Sequence, residues 1–151
     1  MFRIAIAACA LAGWTLAWPA DFRFDIGSPV AAGDFAFKTA AFVFRTEGCT
    51  DPAKAQINAT AEGLVKGARR SVPLKVATIA RPGVYAVFQT WGPDGAWVVN
   101  LKGACGDANA GAVVPFGPKG FIRESAKFFP RSATDAEIEE SLKALAQGAA
   151  K

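Results

Sequence analysis

Apolar side chains recur at every second position through most of the chain, the period of a strand that buries one face. In FAFKTAAFVFRTEGC, Phe35 and Phe37 stand two apart, and so do Phe42 and Phe44. In AQINATAEGLV, Ile57, Ala59 and Ala61 fall on one side and Asn58, Thr60 and Glu62 on the other. SVPLKVATIA puts Val72, Leu74, Val76 and Thr78 on one face, and Pro73 assigns the segment to a sheet edge or a strand start. An opening strand comes earlier, in DFRFDIG, before Gly27, Pro29 and Gly33 break the alternation; KGARR supplies the turn between the AQINATAEGLV and SVPLKVATIA segments.

The stretch GVYAVFQTWGPDGAWVVNLKGAC, residues 83–105, predicts a hairpin. Its first arm sets Val84, Ala86 and Phe88 against Tyr85, Val87 and Gln89, and two largely apolar faces describe an interior strand. GPDG at 92–95 has turn chemistry, since Pro93 presets φ, Asp94 can bond nearby backbone and Gly95 accepts positive φ. AWVVNLKGAC then returns as the partner strand, with Trp91 and Trp97 facing each other across the pair. GDANAGA reads as a flexible loop, and VVPFGPKGFIRE as a short strand pair around its Gly-Pro-Lys-Gly turn.

The period changes near the C-terminus. Thr134 and Glu137 in TDAE form a capping box, and Ile138, Leu142 and Leu145 follow at helical spacing, predicting a helix over about 134–147. Glu139 and Lys143 are an i,i+4 pair of favourable order. The helix is expected to dock its apolar face on its own domain. Residues 21–151 thus read as one all-β domain, a sandwich of about seven strands with a C-terminal α-helix, and neither a repeat nor a long linker divides it.

Residues 1–20, MFRIAIAACALAGWTLAWPA, read as a secretory signal peptide: Arg3, an apolar run from Ile4 to Leu16 too short to span a bilayer comfortably, and small residues at Ala17 and Ala20. Thr15 and Ala17 favour the earlier cleavage, whereas Asp21 is the natural mature start. A retained anchor, or a lipidated Cys9 in IAAC, are the competing readings. The 151-residue chain carries a net charge of +4, and loss of Arg3 leaves the mature domain mildly basic. Its one tight basic group, KGARRS at 66–71, reads as a solvated loop and not a nucleic-acid patch. Export also simplifies the cysteines. Cys49 and Cys105 remain, an even pair expected to form one disulfide in an oxidising compartment.

The chain has no histidine, which removes Ser-His-Asp and Cys-His catalysis, His-ligated zinc or copper and a histidine pH switch. Its one methionine is Met1, which argues against a Met-ligated copper carrier. The carboxylates Asp21, Asp25, Asp34, Glu47, Asp51, Glu62, Asp94, Asp107 and Glu124 are spaced as turn formers and solvated charges, with no pair singled out for acid–base work. GPKG lacks the Walker spacing, and NAT at 58–60 is an acceptor sequon of a kind common by chance. No catalytic set, cofactor or metal is therefore expected.

RPGVYAVFQTWGPDGAWVVNLKG resembles a segment of secreted immunoglobulin-like and transthyretin-like accessory domains, in which a Pro-Gly turn precedes a Tyr-containing strand, a turn and a Trp- and Val-containing strand. The resemblance implies an immunoglobulin-like β-sandwich that binds or positions other proteins without chemistry of its own. The absence of histidine separates the chain from enzymatic transthyretin-like hydrolases. Two functions follow as expectations. One is a non-catalytic secreted or periplasmic accessory protein that recognises a protein or peptide, by a sheet edge or by the aromatic stretch. The other is a carbohydrate- or small-ligand-binding module that uses Tyr85, Trp91 and Trp97 as a stacking surface. Neither nucleic acid nor a stable membrane span after cleavage belongs to either reading.

Overall fold

The alternating segments close into two antiparallel sheets packed face to face. The computed structural model describes residues 21–29, 38–79 and 81–148. The expectations for residues 1–20 and for Phe35 and Phe37 lie outside the described residues. Ten strands run in chain order: β1 (Arg23–Gly27), β2 (Phe42–Glu47), β3 (Gln56–Val65), β4 (Ala68–Leu74), β5 (Val76–Thr78), β6 (Val84–Val87), β7 (Ala96–Cys105), β8 (Ala108–Gly117), β9 (Gly120–Phe121) and β10 (Lys127–Phe129). Helix α1 (Asp135–Gly148) follows. The first sheet has the order β1-β2-β6-β5; the second has β10-β8-β7-β3-β4, with β9 also paired to β8. The strands beyond the expected seven are short pieces, β5, β9 and β10 among them, whose two or three residues carry too little alternation to register.

The core between the sheets joins unlike surfaces. The first sheet contributes rings, Phe24, Phe42, Phe44 and Tyr85, all buried. The second answers with small and branched side chains, among them Ala59, Ala61, Val99, Leu101, Ala112 and Val114. Phe24 meets Phe44 edge-on with centroids 5.4 Å apart, and Tyr85 stacks on Phe44 at 5.1 Å. Large against small lets two layers interdigitate at native density.

Three features differ from the alternation read along the chain. SVPLKVATIA is two strands: β4 ends at Leu74, the chain turns at Lys75, and β5 begins at Val76 in the other sheet. Val72, Leu74 and Val76 still face one core, so the period survives the change of sheet. Pro73 lies on β4, an edge strand among the described residues, where its missing N–H costs no ladder bond. The turn before it is only Lys66–Gly67, with φ of 51° and 77°, the twist that suits a two-residue hairpin loop; Arg69 and Arg70 are already strand.

The hairpin expected over 83–105 does not form. β6 lies between β2 and β5 in the first sheet, whereas β7 lies between β3 and β8 in the second. Both strands are apolar on two faces, so each occupies an interior position in a sheet, and residues 88–95 cross between the layers. GDANAGA is likewise strand and not loop. Only Gly106 and Asp107 turn, and Ala108–Gly117 is a ten-residue strand with Ala110 and Ala112 in the core. Small residues there mark close approach: a Cβ on Gly111 would lie 2.2 Å from the Arg131 carbonyl oxygen. That glycine lets residues 131–133 cross the outer face of the second sheet against its backbone.

This crossing delivers α1 to the same face. Thr134 caps the helix as its sequence indicates: its backbone N–H donates to Glu137 at 2.7 Å, and the Glu137 N–H donates to the Thr134 hydroxyl at 3.3 Å. Arg131 adds two hydrogen bonds to the Glu137 carboxylate, at 2.9 and 2.8 Å, and these bonds, with the cap, hold its pKa down to about 2. Ile138 and Leu142 are buried against Ala96, Val98 and Val113. Glu139 and Lys143 pair at 2.6 Å on the exposed side. Among the described residues no helix is long and apolar enough to cross a membrane.

Cys49, just beyond the end of β2, is bonded to Cys105 at the end of β7, with Cα atoms 5.8 Å apart. The bridge ties the first sheet to the second.

Candidate functional site

A groove of about 1360 Å3 lies on the helix side of the second sheet, where β7 begins and β8 ends. Each wall has a local cause. Ala96 and Pro115 project from the strands on the face that α1 covers. The C-terminal half of α1 supplies Ser141, Ala144 and Leu145, because the helix packs most closely at Ile138 and Leu142. The opposite wall is the β8–β9 hairpin with the following 3-10 turn (Arg123–Ser125), which brings Phe116, Pro118, Ile122 and Ala126. Lys127 on β10 pairs with Glu140 on α1 at 3.2 Å, a tie between the wall strands and the helix.

The lining is mostly apolar. Its ionisable side chains are Glu124 and Lys127, a mixed pair of charges that provides no second carboxylate for general acid–base catalysis. Ser141 donates its hydroxyl to the Glu137 carbonyl at 3.0 Å, an ordinary helical back-bond that leaves no adjacent base to activate it. Among the described residues no group of three or more His, Cys, Asp or Glu side chains could hold a metal.

The aromatic residues singled out in the sequence are core residues. Trp91 and Trp97 are each only 7% exposed and Tyr85 8%. The two tryptophans do stand together, centroids 6.3 Å apart, but Trp91 sits in the crossing between layers and not opposite Trp97 on a strand. Trp97 lies over Gly63, its partner on β3, where a Cβ would meet the ring at 2.6 Å; its indole N–H donates to the Asp94 carbonyl at 2.7 Å. Trp91 meets Phe116 edge-on at 5.0 Å. Tyr85 stacks on Phe44 instead, and burial pushes its phenol pKa up. A sugar-stacking platform needs exposed ring faces, and these three rings spend theirs on one another and on the phenylalanines. The small uncovered parts of Trp91 and Trp97 do line the groove.

Four of the carboxylates noted in the sequence, Asp25, Glu47, Asp51 and Glu62, are held by cations or hydroxyls. Asp25 bonds Arg45 at 2.8 Å, and Glu47 pairs with both Arg23 and Arg45. Glu62, nearly buried on β3, accepts from Thr60, Ser71 and Arg69. Sequence periodicity did not find the groove, because its walls come from separated parts of the chain that only tertiary packing unites. Pro93, Pro115 and Pro118 all line the groove, yet they are spread over 25 positions and form no motif in the sequence. No family model, curated protein or solved structure matches the chain.

Proposed function

We propose that this protein is a non-catalytic, secreted or periplasmic accessory protein, an immunoglobulin-like sandwich that holds an apolar peptide segment of a protein partner in the groove beside α1. The observation that carries this reading is the groove itself, about 1360 Å3 with mostly apolar walls. Compact small-molecule sites enclose roughly 300–1,000 Å3. A larger apolar groove suits a chain of several residues, whose side chains replace water on the walls while its polar backbone stays near the rim. The disulfide between the two sheets agrees with an oxidising compartment.

The test is selection of peptides from a displayed random library on the purified protein, followed by affinity measurement against Ala144→Arg. Ala144 is exposed on α1 and lines the groove, so arginine there keeps the helix and obstructs the wall. Enrichment of peptides with clustered apolar residues, weakened at least about tenfold by Ala144→Arg, supports the assignment. Failure to enrich any sequence, or selected peptides indifferent to the substitution, refutes it.

A further inference from the structure

A second concavity, about 480 Å3, opens where β1 and β10 border the two sheets. Phe24 and Ile26 form its buried backing. Its mouth carries a row of alternating charges: Arg23 pairs with Glu47, Glu47 with Arg45 at 3.0 Å, and Arg45 with Asp25 at 2.8 Å. Arg123 ends the row, and its approach to Asp25 is 3.9 Å, too long for a hydrogen bond. The row therefore ends in a guanidinium on both sides and carries one positive charge in excess. The Arg123 guanidinium makes no hydrogen bond among the described residues, and its planar fork of donors faces solvent. Beside it stands Phe128, 51% exposed, the one large hydrophobic side chain so exposed among the described residues.

The geometry points to a binding site for an organic monocarboxylate with an apolar body. The carboxylate takes the Arg123 fork, and the apolar part lies against Phe128 over Ile26. The volume falls within the roughly 300–1,000 Å3 range of small-ligand sites. Charge decides between anions. One negative charge neutralises the excess, whereas a phosphate, at −1.5 to −2, would overfill it within reach of Asp25 and Glu47. A bidentate guanidinium fits a carboxylate plane, and an exposed ring offers the apolar contact that a bare inorganic ion cannot use. The site adjoins the groove beside α1 along residues 122–128 but shares no lining residue with it, and it stands whether or not that groove binds peptide.

The experiment is a titration of the isotope-labelled protein followed by NMR, including the arginine side-chain N–H signals. The probes are phenylacetate, its uncharged analogue phenylacetamide, and inorganic phosphate. Saturable shifts at Arg123 and the neighbours of Phe128 are expected with phenylacetate at millimolar concentration. Phenylacetamide and phosphate should bind at least about tenfold more weakly, and Arg123→Gln should weaken phenylacetate by a similar factor. Phe128→Ala should weaken it about threefold or more. Arg70→Gln, on the far edge strand β4, should change nothing. N-acetylphenylalanine separates the two sources of the same chemistry: tighter binding than phenylacetate marks a peptide C-terminus, and equal or weaker binding a free small acid. No saturable shift at the site up to about 20 mM, equal binding of phenylacetamide or phosphate, or equal loss in Arg70→Gln overturns the assignment.

Discussion

Gly111→Ala tests whether the last helix is seated through one backbone contact. The added Cβ would lie 2.2 Å from the Arg131 carbonyl oxygen, 3.0 Å from the Ala133 nitrogen and 3.1 Å from the Ser132 Cα. All three are backbone atoms, so no side-chain rotation relieves the clash, and the segment must retreat by roughly 1 Å or more to reach ordinary contact. That segment carries Ala133 into the cluster formed by Ile138, Leu142, Val98 and Val113. Overpacking of a tight site costs about 1–3 kcal/mol, and the upper part of that range applies where the neighbour is backbone. A restricted unfolded chain would return about 0.4–1 kcal/mol, leaving a net loss of about 1–2.5 kcal/mol. Gly92→Ala is the control, since nothing lies within 4 Å of its added Cβ; it should be neutral or slightly stabilising. Urea unfolding followed by far-ultraviolet circular dichroism gives both values. Leu142→Ala alone should cost about 2–5 kcal/mol. Combined with Gly111→Ala it should cost less than the sum, because a helix already displaced has less packing to lose. If Gly111→Ala is as benign as Gly92→Ala, the close crossing of residues 131–133 is wrong.

Cys49→Ala should lower stability by about 2–5 kcal/mol, and the untreated protein should present no thiol from Cys49 or Cys105 when denatured without reductant; two titratable thiols would exclude the bridge. The bond closes a loop of 56 residues, for which the chain-entropy relation gives about 4 kcal/mol. Glu137, with its pKa lowered from 4.5 to about 2 chiefly by Arg131, contributes stability that is complete above the ordinary carboxylate range and lost as pH falls towards about 2. Carboxyl NMR should report that low midpoint, Arg131→Gln should move it upward, and an unchanged midpoint would disprove the pairing. Protein lacking residues 1–20 retains Trp91 and Trp97 alone. Its fluorescence should be blue-shifted and resist acrylamide, and a red-shifted, readily quenched signal would contradict their burial.

The helix and the disulfide were legible because each rests on short-range or strictly paired signals: a capping box three residues apart, and the two cysteines outside residues 1–20. Strand existence was also legible, since Ile57, Ala59 and Ala61 alternate as they pack. Strand partnership was not. The turn residues of GPDG look the same in a hairpin and in a crossing between layers, and what separates the cases is that β6 and β7 each need two neighbours. Ala110 and Ala112 were read as loop because small side chains usually mark flexibility, whereas here they make room for facing rings. The groove and the arginine pocket draw on residues far apart in sequence, and a period of two does not report such convergence.

The bond between β2 and β7 also bears on the order in which the protein folds. β3–β4 and β7–β8 are joined by two-residue turns, so the second sheet starts from two local hairpins that then join through β3 and β7. The first sheet must pair β2 with β6, Phe44 opposite Tyr85, across the whole of β3, β4 and β5. Loop closure makes that pairing slow relative to a hairpin. During the interval the small-residue face of the second sheet stands open to self-association. Oxidation of Cys49 and Cys105 at that stage brings the end of β2 to β7 before β6 has been found, and shortens the remaining search. An oxidising compartment would then act on yield as well as on stability. Pulsed hydrogen exchange during refolding should protect β3, β4, β7 and β8 before β2 and β6, with the delay longer in Cys49→Ala; simultaneous protection of both sheets would rule that order out.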